Sequence, residues 1–177
     1  MQMRINDLGN RICIMGPSNS GKSTLADSLA RKLGLPAVHL DRLHHLPHTD
    51  WVMRPEAEFR ALHDEAILGE RWVMDGNYSR LLPQRVERAT GLIVLDTSTT
   101  MSLYRYCRRS LFERERVGAL DGGKDSIKWA MLHHIVFVTP KNRRKYKAIF
   151  DEVTLPKLFV PSQRGLAKCY RAWGLER

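Results

Sequence analysis

The sequence predicts an α/β fold in which a doubly wound parallel sheet is flanked by helices. Three observations carry that expectation. Short apolar runs alternate with segments whose apolar residues recur at helical spacing along the 177 residues. One run, Leu92-Ile93-Val94-Leu95, is apolar at every position, which suits a parallel strand covered on both faces. The link between the first run and the first helix is rich in glycine, and in such sheets ligands bind outside the carboxyl ends of the strands.

Taken in order, Arg11-Ile12-Cys13-Ile14-Met15 reads as the first strand. After the glycine-rich link, Thr24 to Leu33 places Leu25, Leu29, Ala30 and Leu33 on one helical face. Val38-His39-Leu40 reads as a second strand ending at Asp41. A loop from Arg42 to Arg54 follows and carries His44, His45, Pro47, His48 and Trp51. Pro55 opens a helix with Ala57, Phe59, Leu62, Ala66 and Ile67 on its inner side. Arg71 to Asp75 is a third strand, closed by Gly76, and Pro83 interrupts the short helix that follows it. Leu92 to Asp96 is the fourth strand. Thr99 or Thr100 caps a helix reaching to about Arg116. Gly118 to Gly123 reads as a flexible break. Asp125 or Ser126 then caps a helix bearing Ile127, Met131, Leu132, Ile135 and Val136. A further helix starts after Pro140, Lys157 to Val160 is the last strand, and Gly165 to Trp173 closes the chain. No repeat or long linker interrupts the pattern, so one domain is expected over 1–177, with an acceptor-binding insert at about 41–70.

Composition narrows the classes. Apolar residues make up 43% and charged residues 27%, as in soluble globular proteins, and no run approaches the ~18 apolar residues that span a bilayer. The first ten residues are polar and the apolar run after them is too short for a signal peptide, so a cytoplasmic protein without a membrane partner is expected. Cys13, Cys107 and Cys169 are far apart, which fits reduced thiols. A net charge of +10 suits an anionic partner without choosing among ATP, a phosphorylated metabolite and nucleic acid.

The chemistry is concentrated in Gly16-Pro17-Ser18-Asn19-Ser20-Gly21-Lys22-Ser23, a G-x-x-x-x-G-K-S loop between a strand and a helix. Its glycines let successive N–H groups converge on phosphates, and the helix N-terminus adds partial positive charge. Gly16, Ser18, Asn19, Ser20, Gly21, Lys22 and Thr24 are therefore candidates to hold ATP, with Lys22 on the β- and γ-phosphates and Ser23 on Mg²⁺. Asp75 ends a strand at the same rim and is a candidate to hold Mg²⁺ opposite Ser23. Asp41, at the end of another strand, could orient an acceptor hydroxyl and take its proton, with Trp51 as an apolar wall. Arg105 and Arg109 stand one turn apart on a helix, so both can face one anionic group. His39, His44, His45 and His48 fit no common metal spacing and are expected to line the acceptor loop with Trp51. Lys141, Arg143, Arg144, Lys145 and Lys147 read as a solvated face, with nucleic-acid contact as the alternative.

Two resemblances extend this reading. Asp75-Gly76-Asn77-Tyr78-Ser79-Arg80 resembles the Asp-Gly-Phe-Pro-Arg segment of adenylate kinases and other nucleoside monophosphate kinases, which implies Gly76 in substrate binding and Arg80 as an acceptor or phosphate clamp. Leu95-Asp96 followed by Arg105 and Arg109 is similar to that family's next strand and helix, and Arg164 lies where the family passes the adenine. The order Gly16–Ser23, His39-Leu40-Asp41, Trp51, Trp72 to Arg80 and Leu103-Tyr104-Arg105-Tyr106 looks like the bacterial DNA topology modulation protein family, small relatives of the adenylate kinases. That resemblance implies a P-loop NTPase of five strands in the order 2-3-1-4-5 with a mobile lid, here about 105–124. The function expected is transfer of the γ-phosphoryl of Mg·ATP to a small-molecule or nucleotide acceptor, by a monomer or homodimer. The alternative is a nucleotide-dependent DNA- or RNA-binding switch with slow hydrolysis.

Overall fold

The structure of the protein, a computed structural model, describes residues 3–112 and 129–176. Its strands are β1 (Arg11–Met15), β2 (Ala37–His39), β3 (Trp72–Asp75), β4 (Gly91–Leu95) and β5 (Lys157–Val160). Its helices are α1 (Lys22–Leu33), α2 (Leu40–His44), α3 (Glu56–Leu68), α4 (Leu82–Arg88), α5 (Thr99–Phe112), α6 (Trp129–His133), α7 (Thr139–Glu152) and α8 (Gln163–Trp173). A π-helical turn, His134–Val138, joins α6 to α7.

The strands form one parallel sheet in the order β2-β3-β1-β4-β5, as expected. Side chains alternate across a strand, so β1 divides its residues between two cores. Ile12 and Ile14 face Leu25 and Leu29 of α1 together with Leu166, Tyr170 and Trp173 of α8. Cys13 and Met15 face the other way, with Trp72, Met74, Leu92 and Val94, toward Leu40, Ile67, Leu82 and Tyr146. Burial pushes the Cys13 thiol up to about 11 and the Tyr146 hydroxyl up to about 12. Burying a side chain such as Ile14 contributes about 1.5–3 kcal/mol, and both sheet faces are covered this way. The register His39↔Asp75↔Ile14 brings the carboxyl ends of β2, β3 and β1 level with one another.

Several local expectations are corrected. The second strand stops at His39, and Asp41 lies in the first turn of α2 rather than at a strand end. The stretch after α2 is folded back on itself: His45 bridges Met53, Leu46 N–H donates to Val52 O and Arg54 N–H donates to His44 O. Pro83 opens α4 instead of interrupting it, because a first-turn proline gives up no helical hydrogen bond. The inner face of α3 is Phe59, His63 and Ile67, one turn apart, and Ala57 is exposed. Ser98, not Thr99 or Thr100, accepts the N–H of Met101 at the start of α5. α7 begins at Thr139, one residue before Pro140. α8 begins at Gln163, where Ser162 Oγ accepts the N–H of Gly165. The expected break at 118–123, the cap at 125–126 and most of the lid at 105–124 lie outside the described residues.

Candidate active site

The loop from Gly16 to Gly21 leaves the centre of the sheet and ends at the N-terminus of α1, a helix of 12 residues. Gly16 has φ +148°, and a Cβ there would stand 2.4 Å from the carbonyl oxygen of Leu95, so only glycine fits. Ser20 N–H donates to Pro17 O at 3.3 Å, and Lys22 Nζ donates to the same carbonyl at 3.0 Å. Ser20 Oγ is buried and has no partner among the described residues, which makes it a donor available to an anion in the loop. A Gly21 Cβ would lie 3.7 Å from the Arg105 guanidinium, which puts that cation over the loop. Arg105 is held by Gln163 Oε1 at 2.5 Å, and Gln163 Nε2 in turn donates to Ser20 O and Thr97 Oγ1, both at 3.0 Å.

The structure brings Ser23 and Asp75 together: Ser23 Oγ donates to Asp75 Oδ2 at 2.8 Å. The other carboxylate oxygen, Oδ1, meets His39 Nδ1 at 2.5 Å, and His39 Nε2 meets Asp27 Oδ1 at 2.8 Å. Both partners of the ring are carboxylates, so both ring nitrogens donate and the imidazole carries its proton. Burial opposes that charge, but Asp75 and Asp27 outweigh it and raise the His39 pKa. Asp75, 4% exposed, is thereby fixed with one oxygen toward the loop. A hydroxyl and an oriented carboxylate at the foot of a phosphate loop are the hard oxygen donors that Mg²⁺ prefers, and the donor set fits that ion.

Asp41 lies at the same rim. Tyr78 donates its phenolic O–H to Asp41 Oδ1 at 2.7 Å. Burial first, then the Asp41 charge, drives the Tyr78 pKa upward, so the phenol stays a donor. Around this pair, His44 packs on Tyr78 (4.8 Å between centroids), Phe59 (4.7 Å) and His45 (4.6 Å). Trp51, with φ +60°, stands edge-on to His45 at 5.1 Å. Burial, then the neighbouring His45, lowers the His44 pKa and keeps it neutral.

Other expected residues are placed elsewhere or differently. Arg80 is 81% exposed and pairs with Glu56 at 3.0 Å, the geometry of a surface ion pair. Arg164 is exposed on the first turn of α8. Arg109 is on α5, but its side chain lies outside the described residues. In the basic run, Arg143 makes a two-toothed pair with Asp96 at 2.5 and 2.8 Å, and Lys147 bonds Asp151 at 2.5 Å. Those two cations are matched within the molecule, and the hydrogen bond to Asp96 raises the Arg143 pKa. Among the described residues no cluster of histidine, cysteine and acids could hold a metal by itself, and no helix is long and apolar enough to cross a membrane.

Sequence reasoning missed His39, Asp27, Asn77, Tyr78, Arg85 and Gln163. Asn77 and Tyr78 stood inside a segment already singled out, but nothing local says which side chain turns to the loop and which to Asp41. His39 had a signal in its place at a strand end one residue from the rim. Gln163 stood beside Arg164 at the expected adenine position, but its bond to Ser20 O spans 143 residues and nothing local announces it, and Asp27, 12 residues from His39, left no signal.

No family model matches the chain and no curated protein sequence matches it. Solved structures do. A gluconokinase from Sinorhizobium meliloti 1021 is 17% identical, with a TM-score of 0.51 over 97% of this chain and 91% of that one. A shikimate kinase from Aquifex aeolicus is 20% identical, with a TM-score of 0.52 over 93% and 96%. A putative kinase from Chloroflexus aurantiacus is 16% identical, with a TM-score of 0.51 over 92% and 97%. The chain therefore has the fold of the small P-loop kinases.

Proposed function

We propose that the chain is an ATP-dependent phosphotransferase that moves the γ-phosphoryl group to a hydroxyl of a small acceptor. The observation that carries this reading is the Ser23–Asp75 contact at the foot of the loop, on the same rim as an Asp41 oriented by Tyr78. When bound between Ser23 and Asp75, Mg²⁺ would neutralise charge on the β- and γ-phosphoryl oxygens. The loop N–H groups and Lys22 hold the donor phosphates, and Arg105 stands over the loop where negative charge accumulates. Asp41 accepts the acceptor's proton on the oxygen Tyr78 does not use. The acceptor oxygen–phosphorus bond forms as the bond to ADP breaks. Positioning and electrostatics are sufficient machinery for such a transfer.

A hydroxyl acceptor is favoured over a phosphate for two reasons. A carboxylate at the rim would repel a phosphate, and Arg80 is matched by Glu56. The fold neighbours named for gluconate and shikimate accord with a small-molecule acceptor. Membership of the DNA topology modulation family remains part of this proposal, resting on the Asp75-Gly76-Asn77-Tyr78 segment. No observation favours the nucleic-acid switch.

A coupled ADP-release assay with Mg·ATP tests the reading across nucleoside monophosphates, nucleosides, small hydroxylated metabolites and DNA. Stimulation by a hydroxyl compound, with a phosphate ester as product, is expected. Stimulation by monophosphates alone overturns the hydroxyl assignment. Stimulation by DNA without a phosphorylated product overturns the kinase.

A further inference from the structure

The residues between β3 and α4 touch both halves of the site. Asn77 faces the phosphate loop: its Oδ1 accepts the N–H of Gly16 at 3.2 Å, and its Nδ2 donates to Gly16 O at 2.9 Å. A primary amide offers one donor face and one acceptor face, so this side chain pairs with Gly16 as a second peptide unit would. Tyr78, the next residue, faces the other way and holds Asp41.

This segment is not relaxed. Tyr78 has φ +28°, a conformation that a tyrosine keeps only when its surroundings impose it. Gly76 has φ +133°, and a Cβ there would stand 2.8 Å from Leu40 Cβ. Arg85 imposes the shape. It is 1% exposed, and its guanidinium donates from Nη1 to Gly76 O at 2.9 Å and from Nη2 to Asn77 O at 2.5 Å and Tyr78 O at 3.3 Å. Burial lowers its pKa, and no carboxylate among the described residues bonds to it. A buried cation whose bonds go to three consecutive carbonyls is a main-chain brace, and the planar fork is what allows one side chain to reach all three.

We propose that Arg85 and Asn77 are positioning residues that make 76–78 a rigid coupler between the two halves of the site. Arg85 fixes the main chain, Asn77 fixes the phosphate loop to it, and Tyr78 fixes Asp41 to it. Nucleotide on the loop and acceptor at Asp41 are then linked through one short segment. The acceptor half of this inference rests on the kinase reading, whereas the loop half needs only nucleotide binding.

Calorimetric titration with Mg·ADP on the wild type, Asn77→Ala, Arg85→Lys and the double variant tests it. A lysine can reach one carbonyl but cannot fork across three. Each single change should raise Kd about tenfold, the scale of a lost hydrogen bond that positions the loop, and the double variant should be no more than about threefold weaker than the worse single. Kd within about twofold of wild type in both singles, or strictly multiplicative losses, would overturn the coupling. Urea unfolding is measured alongside: a lower midpoint with an unchanged Kd means a purely structural role and also overturns it. Should Arg85→Lys fail to fold, hydrogen exchange on the wild type decides. Mg·ADP should slow exchange at 76–81 as well as at the loop, and unchanged exchange at 76–81 rejects the proposal. The two readings fail separately. A wild type that shows this coupling yet phosphorylates nothing sinks the kinase alone, and an active kinase with uncoupled variants sinks the coupler alone.

Discussion

The proposed donor and acceptor halves of the site are built on opposite plans. The donor half is built around main chain, a glycine turn and a helix N-terminus within residues 16–24, to which the side chains of Lys22, Ser23, Asp75 and Arg105 are added. Asp41 and its neighbours are instead held by side chains from α2, α3 and the segments 44–54 and 76–78, with Tyr78, His44, Phe59 and Trp51 packed ring against ring. A phosphate chain is the same in every ATP, so a fixed backbone cradle serves it. An acceptor has its own shape, and side chains are the part of a protein that can be exchanged without rebuilding the sheet.

Four substitutions break or sharpen that contrast. Lys22→Ala removes a fixed charge from the donor half and should cost at least about 10²-fold in turnover while the fold survives. Unfolding curves and ADP-release rates of the two proteins check it, and equal activity would refute the role of Lys22. Gly76→Ala strikes the join between the halves. Its positive φ and the approach to Leu40 predict a loss of about 1–3 kcal/mol in urea unfolding. Tyr78→Phe removes the Asp41 partner from the acceptor half alone. We expect about 1 kcal/mol less stability and unchanged Mg·ADP affinity by calorimetry, and weakened nucleotide binding would show that the phenol also serves the donor half. Arg80→Ala deletes an exposed ion pair and should change stability by less than about 1 kcal/mol, with turnover near wild type. A large loss of acceptor affinity in that variant would support a clamp role for Arg80.

The same contrast decided what could be read from the chain. The strands and the donor loop were legible because their signals are local, whereas the strand order came from the resemblance to the adenylate-kinase-related families. Apolar runs mark strands, and G-x-x-x-x-G-K-S fixes backbone shape within eight residues. Ser23 and Asp75 were legible together because a strand end and a loop at one rim must meet. His39 was read only as one histidine among several, since its partners Asp27 and Asp75 lie 12 and 36 positions away. Arg80 and Arg85 are five positions apart in the chain, and nothing in their identities says which is buried. The shape of the Gly76–Tyr78 turn decides it, and that shape depends on Arg85 itself.

The burial of Cys13 has a practical consequence. Thiolates are what alkylating reagents attack, and a thiol 1% exposed with its pKa near 11 offers almost none at neutral pH. Cys169, on α8, is also pushed upward by burial. Of three thiols, Cys107 and Cys169 are half-buried and Cys13 is buried, so Cys13 should be the last that a maleimide dye labels in the folded chain. The native chain thus carries, in Cys13, a thiol that reacts only when the sheet opens, so its labelling reports unfolding with no engineered cysteine required.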